Sequence, residues 1–286
     1  MTDYMKKAYM KGIVSAALAE DIGQGDITTN SLVPASAKIE AHLVFKTEGV
    51  ICGLDVAQCV FKTFSKRVSF HKCVQEGVKI NKSTIVAIIK GPARAILTAE
   101  RVAINFLTHL SSIATRTRVM VDLIKPYPSK IFDTRKTTPL LRQMERHAVR
   151  EGGGHNHRFD LSIMGMIKDN HRFLLGGKQG LKEAVQIVKH TTNKTVVLEV
   201  DTWEELKEAL TSRAEIILLD NMTPQQVRKA VVLRDRINPR VLLEASGGIS
   251  LHNVRAYAKT GVDRISVGSL TSVKDGVDIS LDFVRL

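Results

Sequence analysis

The segment DTRKTT, Asp133 to Thr138, places two adjacent cations ahead of two hydroxyls. The planar guanidinium of Arg135 suits a carboxylate, held through two parallel hydrogen bonds, while the ammonium of Lys136 is a movable point charge suited to phosphate or pyrophosphate. A solvated basic turn is the plainer alternative. Further on, GGGHNHRFD, Gly152 to Asp160, sets three glycines before His155, His157 and Arg158. Glycine admits backbone shapes closed to other residues, so this stretch can approach a ligand closely or move as a lid. Arg158 beside His157 makes an anion clamp. A His-x-His pair also binds zinc, but no carboxylate–histidine signature completes that set here.

MIKDNH puts Lys168, Asn170 and His171 beyond an apolar run. Lys168 is open to two readings, an anion-binding cation or a Schiff-base amine; the excess of neighbouring arginines and lysines favours the first. Glu199 and Asp220 close two successive apolar runs, and a pair of hard oxygen donors suits magnesium held partly through substrate phosphates. Their plainer use is to neutralise Lys136 or Lys168. ASGGIS (245–250) and VGSLT (267–271) offer amides and hydroxyls of the kind that cradle a phosphate, with Gly247 and Gly248 letting the backbone close on it. Nucleophile-elbow, P-loop and dinucleotide glycine patterns do not occur. A phosphorylated sugar diphosphate meeting an acidic acceptor fits this inventory.

These residues need a scaffold that gathers them. From residue 126 on, one theme repeats: an apolar strand ending in a charged or small polar residue, then a helical span. The strands are KIFDTRK, SIMGMIKDN, TVVLEVD, AEIILLDN, RVLLEASGG and DRISVGS. Such alternation predicts a parallel sheet covered on both faces. Arg135, Lys136, Lys168, Asp169, Glu199, Asp220, Ser246 and Ser269 fall at or just after six different strand ends, and only a barrel brings all six ends round one mouth. The closing ISLDFVRL offers a seventh strand, or a return toward the N-terminal domain. Ahead of this region, residues 4–20 suit an amphipathic helix and GQGDITT a turn in which Asp26 and Thr28 satisfy backbone amides. A small, mostly antiparallel sheet is expected over 36–92, and residues 94–125 have the apolar spacing of a pair of packed helices, stopped by Pro126 and Pro128. The expected fold is therefore α/β: an incomplete, seven-stranded β/α barrel (126–286) with a smaller N-terminal α/β open sandwich (1–125).

The chain has 286 residues and a net charge of +13, from 42 Lys and Arg against 29 Asp and Glu. That charge favours anionic partners, but it is spread along the chain without a basic tail or aromatic–basic interleaving, so small anions account for it better than nucleic acid. No apolar stretch is long enough to span a bilayer, and a cytoplasmic location is expected. Of the three cysteines, Cys52, Cys59 and Cys73, the first two are expected as buried small hydrophobes rather than zinc ligands.

The motifs GQGDITT, AERVAINFLTHLSSIAT (99–115), DTRKTTP, GGGHNHR, MIKDNH, LEV, LLDN, EASGGI and VGSLT together resemble the quinolinate phosphoribosyltransferase family, in its order and spacing, over essentially the whole chain. The resemblance implies decarboxylating phosphoribosyl transfer from phosphoribosyl pyrophosphate to quinolinate in NAD biosynthesis, with Mg2+ as cofactor. It implies that Arg101, Arg135, His157, Arg158 and Lys168 receive quinolinate, and that Lys136 contacts phosphoribosyl pyrophosphate. By the same resemblance Glu199 and Asp220 lie near its ribose and the metal, and Ser246, Gly247, Gly248, Gly268 and Ser269 form the 5-phosphate cradle. It further implies a homodimer in which Arg101 is supplied in trans. The sequence departs from the family pattern at Leu140 and Ser112, where glycine is frequent, and at Ser162 and Asp201; loop geometry near 140 is the point these departures touch. A nicotinate phosphoribosyltransferase, a Schiff-base lyase and a nucleic-acid-binding protein are the competing readings.

Overall fold

The computed structural model of the chain describes residues 7–174, 180–272 and 276–284. Residues 4–6 of the expected first helix and 285–286 of the expected last strand lie outside that set. Two compact units are present: Met1–Arg118 with Thr137–Gly153 and Thr271–Leu286, and Val119–Lys136 with Gly154–Leu270.

In the first unit, α1 (Lys7–Ile22) buries Met10, Val14 and Leu18, a four-residue spacing that lays one stripe inward. Asp26 caps α2 (Ile27–Leu32) by accepting a hydrogen bond from Thr29 N at 2.9 Å. A four-stranded antiparallel sheet follows, ordered β12-β1-β5-β3, from β1 (Lys38–Phe45), β3 (Ser69–Lys72), β5 (Thr84–Pro92) and β12 (Ile279–Val284), beside the short pair β2 (Gly49–Val50) and β4 (Lys79–Ile80). Helix α3 (Leu54–Phe64) buries Leu54, Val56, Ala57, Val60 and Phe61. Its cap, Gly53, sits at φ 107, where a side chain would be strained and would press on Leu110.

One expectation changes here, and one open alternative closes. The stretch expected as a pair of helices is one helix, α4 (Ala93–Ile124), of 32 residues. It contains neither glycine nor proline, so nothing interrupts its hydrogen-bond ladder before Pro126. Of the two readings of the closing segment, the return toward the N-terminal domain holds and the barrel strand does not: β12 pairs antiparallel with β1, from Phe45↔Ile279 to Glu40↔Val284. Its alternating apolar and polar residues bury only one face, which suits a half-exposed strand and not one covered on both sides. The first unit is completed by α5 (Arg142–Glu151).

The second unit is built on a parallel sheet ordered β6-β11-β10-β9-β8-β7: β6 (Lys130–Phe132), β7 (Gly165–Ile167), β8 (Val196–Val200), β9 (Ile216–Asp220), β10 (Leu242–Ser246) and β11 (Arg264–Ser266). Helices α6 (Asp169–Leu174), α7 (Leu181–Thr192), α8 (Trp203–Leu210), α9 (Pro224–Ile237) and α10 (Val254–Ala258) alternate with the strands. Thr202 and Thr223 start α8 and α9 with reciprocal capping boxes. The sheet has six strands, and a single isolated bridge lies beyond its β6 edge. His155 forms a single parallel bridge to Phe132 on the outer edge of β6, with His155 N donating to Ile131 O at 2.8 Å and Asp133 N to His155 O at 3.0 Å. The edge strands β6 and β7 are not paired, and the barrel stays open between them.

Strand register sorts the sheet into two faces. Leu198, Val200, Ile217, Leu219, Leu243, Ala245 and Ile265 occupy one face, apolar throughout and buried, as a helix-covered face requires. Val197, Glu199, Ile216, Leu218, Asp220, Glu244 and Ser266 alternate with them on the other. That inner face is apolar at the N-terminal ends, where Val197, Ile216 and Leu218 pack with Met164 and Met166. Toward the C-terminal ends it turns polar.

Candidate active site

The polar end of the barrel is assembled on a charge that lies in the middle of a strand. Glu244 of β10 is fully buried, with its carboxylate 3.2 Å from His157 Nε2 and 2.8 Å from Arg264 Nε. Ser266 Oγ donates to it as well. Burial pushes this carboxyl up, but the bonds and charges of His157, Arg264 and Ser266 outweigh it and hold Glu244 below the usual carboxylate range. Arg264 also lies 3.8 Å from the centroid of the Phe132 ring, a cation–π contact that fixes the guanidinium.

Asp133, fully buried at the end of β6, organises the glycine-rich segment. It accepts from His157 N at 2.6 Å and from Asn156 Nδ2 at 2.7 Å. His157 Nδ1 in turn accepts from Arg158 N at 2.7 Å, which leaves Nε2 as the nitrogen that carries the proton and faces Glu244. Asp133 thus anchors the His157 backbone, while Arg158 N and Glu244 face the two ring nitrogens and set the imidazole's orientation. Arg158 is only 7% exposed and donates through Nη1 to Met164 O at 3.1 Å. Burial, and after it the nearby charge of Arg135, push the Arg158 guanidinium below its usual pKa. Two guanidiniums close enough to repel each other in a half-desolvated place make a receptor for an anion of more than one charge.

Lys168, just past β7, pairs with the buried Glu199 of β8. This is the plainer use foreseen for Glu199, and it treats Lys168 as a cation. Asp220 ends β9 in register with Ser246 of β10, and Asn221 Nδ2 donates to it at 2.7 Å. Beyond β10, Gly247 has φ 93, and a Cβ there would overlap Asn221 Oδ1; Gly248 has φ 60 with open space above it. These are the backbone shapes that leave amides exposed to a phosphate. Beyond β11, Gly268 opens a short 3-10 turn through Ser269, and a Cβ on it would come within 2.9 Å of Lys136 Cδ. Lys136 therefore lies against the turn after the neighbouring strand.

Twelve of the thirteen residues singled out, all but Arg101, belong to the barrel unit, at the C-terminal ends of its strands. Arg101 belongs to the first unit and is exposed on α4. Glu244, Arg264, Ser266, Asn156 and the anchoring part of Asp133 are not among the expected site residues. A signal for Glu244 is present in the sequence, a charge in the middle of the strand LLEAS, while Arg264 opens the strand RIS. Leu140, where the family pattern often carries glycine, adopts φ 65, so the backbone keeps the left-handed shape despite the side chain.

The sequence matches the family descriptions "Quinolinate phosphoribosyl transferase, N-terminal domain" over residues 26–111 and "Quinolinate phosphoribosyl transferase, C-terminal domain" over residues 113–282. It is 41% identical to the nicotinate-nucleotide pyrophosphorylase (carboxylating) of Mycobacterium leprae over 94% of this chain and 95% of that one. It is 35% identical to the quinolinate phosphoribosyltransferase (decarboxylating) 1b of Nicotiana tabacum, over 95% of this chain and 81% of that one. Among solved structures, the nicotinate-nucleotide pyrophosphorylase of Francisella tularensis superposes with a TM-score of 0.91 at 36% identity, covering 98% of both chains.

Proposed function

Because the chain belongs to the quinolinate phosphoribosyltransferase family, we infer that its barrel mouth carries out the family reaction with the residues described above. Phosphoribosyl pyrophosphate and quinolinate are converted to nicotinate mononucleotide, pyrophosphate and carbon dioxide, a step of de novo NAD biosynthesis. The observation that carries the assignment of substrate to site is the buried Arg158 beside Arg135. One carboxylate does not call for two neighbouring guanidiniums together with Lys168; the two carboxylates of quinolinate do.

Arg135, Arg158 and Lys168 would orient the diacid so that its ring nitrogen faces the anomeric carbon, with His157 held for it by Asp133 and Glu244. Lys136 and the amides around Gly247, Gly248, Gly268 and Ser269, with the Ser246 hydroxyl, would hold the phosphates. Glu199 and Asp220 end neighbouring strands with hard oxygen donors, a set that fits Mg2+ retaining part of its water shell; the ion would supply charge neutralisation at the leaving pyrophosphate. The same carboxylates would face the positive charge that develops on the ribose as the bond to pyrophosphate lengthens. Once the nitrogen is ribosylated, its positive charge stabilises the electron pair left at C2 as carbon dioxide departs, and a proton from solvent then takes that pair. The exposed Arg101 would serve the site of a second copy in a homodimer. Mixing inactive Arg101→Ala and Arg158→Ala proteins is then expected to restore turnover; mixtures that stay inactive would remove the trans contribution.

A magnesium-dependent assay with phosphoribosyl pyrophosphate and either quinolinate or nicotinate tests the reading. Nucleotide and carbon dioxide are expected from quinolinate alone. Turnover of nicotinate alone would leave the phosphate assignments and discard the two-carboxylate pocket. Gly247→Ala is expected to raise the KM for phosphoribosyl pyrophosphate about tenfold, since forcing a side chain into a left-handed conformation costs roughly 1–2 kcal/mol. The KM for quinolinate should stay near its wild-type value, and a matched rise in both would remove Gly247 from the phosphate cradle.

A further inference from the structure

Away from the barrel, the first unit contains a group of side chains that the reaction does not use. Cys52 Sγ, a carboxylate oxygen of Glu76 and a ring nitrogen of His147 all lie within 4.8 Å of one another. Zinc bonds of about 2.0–2.3 Å put tetrahedral ligand atoms roughly 3.3–3.8 Å apart, so these atoms need close in only slightly to share an ion. Each is held in place. Ser111 Oγ donates to Cys52 O and accepts from Cys52 N, both at 3.0 Å. Glu76 accepts from Gly53 N at 2.8 Å and Asp55 N at 3.2 Å at the start of α3. Those two bonds occupy two of about four acceptor positions on a carboxylate and leave the others for a ligand role.

His147 gives the second indication. It projects from α5 with a side chain only 9% exposed, and its Nδ1 is buried with no hydrogen-bond partner among the described residues. The nearest acidic oxygen, on Glu151, is 3.7 Å away, too far for a hydrogen bond. A buried ring nitrogen without a partner is costly unless something else satisfies it. We propose that Cys52, Glu76 and His147 form a structural zinc site in the first unit. A thiolate, an imidazole and a carboxylate make a donor set that favours zinc over magnesium or calcium.

Without an ion, the surroundings favour the protonated forms of two of these groups and the neutral form of the third. Burial pushes the Cys52 thiol well up and the Glu76 carboxyl up, and it pushes His147 down toward its neutral, ligating form. A divalent cation reverses the first two of these. An open surface hollow lined by Lys72, Cys73, Val74, Gln75, Glu76 and Val78 lies beside Glu76. As the zinc–sulfur bond forms, the thiol proton leaves to solvent and the ion exchanges bound water for protein ligands, without change of oxidation state. The ion would staple the segment before α3, the turn at Glu76 and the middle of α5, three segments far apart in sequence. The expectation of Cys52 as a plain buried hydrophobe accounts for its burial but not for this company; Cys59 is only half-buried.

The test is titration of the chelator-stripped full-length protein with Co2+ in the absence of substrate. One equivalent is expected to produce a thiolate-to-cobalt charge-transfer band that zinc then displaces. Cys52→Ala should abolish the band, Cys73→Ala should keep it, and His147→Gln should weaken cobalt binding by roughly tenfold or more. Zinc-edge X-ray absorption of the wild-type protein should show one sulfur among light ligands, which separates this site from any ion on Glu199 and Asp220 and does not depend on the variants folding. Absence of the band at saturating Co2+, its survival in Cys52→Ala, or an all-light zinc shell would each overturn the proposal.

Discussion

Replacing Glu244 with alanine is expected to destabilise the protein by about 3–5 kcal/mol, the range for removing one partner of a buried ion pair. The reason is what stays behind: Arg264 and the His157 ring would keep their buried positions without the carboxylate they face. Against a total stability of about 5–15 kcal/mol, such a loss shows as a large fall in the denaturant midpoint or as poor recovery of folded protein. Glu244→Gln keeps the shape and removes the charge, and it provides the second measurement. Glu244 is held below the usual carboxylate range in the folded state, so its contribution is present above the unfolded value of about 4.3 and is lost as pH falls through the lower folded value. The glutamine variant should therefore lose part of the acid limb of the stability profile. An acid limb and midpoint identical to wild type would mean that Glu244 does not organise the barrel mouth.

Arg158→Ala is expected to lower kcat/KM for quinolinate roughly 10²–10⁴-fold. Two charge-assisted hydrogen bonds to one carboxylate contribute roughly 1.5–3 kcal/mol each, and every 1.4 kcal/mol is tenfold. The KM for phosphoribosyl pyrophosphate should change far less, and Arg135→Ala should show the same asymmetry. Arg158→Lys should not restore activity, because an ammonium has no planar fork to match a carboxylate. The contact of Arg158 Nη1 with Met164 O is the structural alternative. If that contact were its whole role, the variant would lose stability and use both substrates equally poorly, and that outcome would sink the two-carboxylate reading.

Sequence alone determined most of the barrel and its polar rim. Six apolar strands separated by helical spans leave few topologies open, and a charge or a glycine at the end of each strand marks the mouth. Arg135, Lys136, Lys168, Asp220 and Gly247 were legible for that reason: each sits at a position where local chain geometry dictates which way a side chain or an amide points. The motifs also carried the family. Tertiary structure alone decided what depends on partners distant in the chain. The strand β12 reads equally well as a barrel stave or an added edge strand until β1 is seen beside it, and the bridge at His155 is too short for any pattern. Glu244 reads as an anomaly in an apolar strand until His157, Arg264 and Ser266 surround it. Cys52, Glu76 and His147 carry no local spacing at all. Periodicity and motif spacing report short-range geometry, whereas a buried charge network or a metal cluster is defined by contacts between residues that only the folded chain brings together.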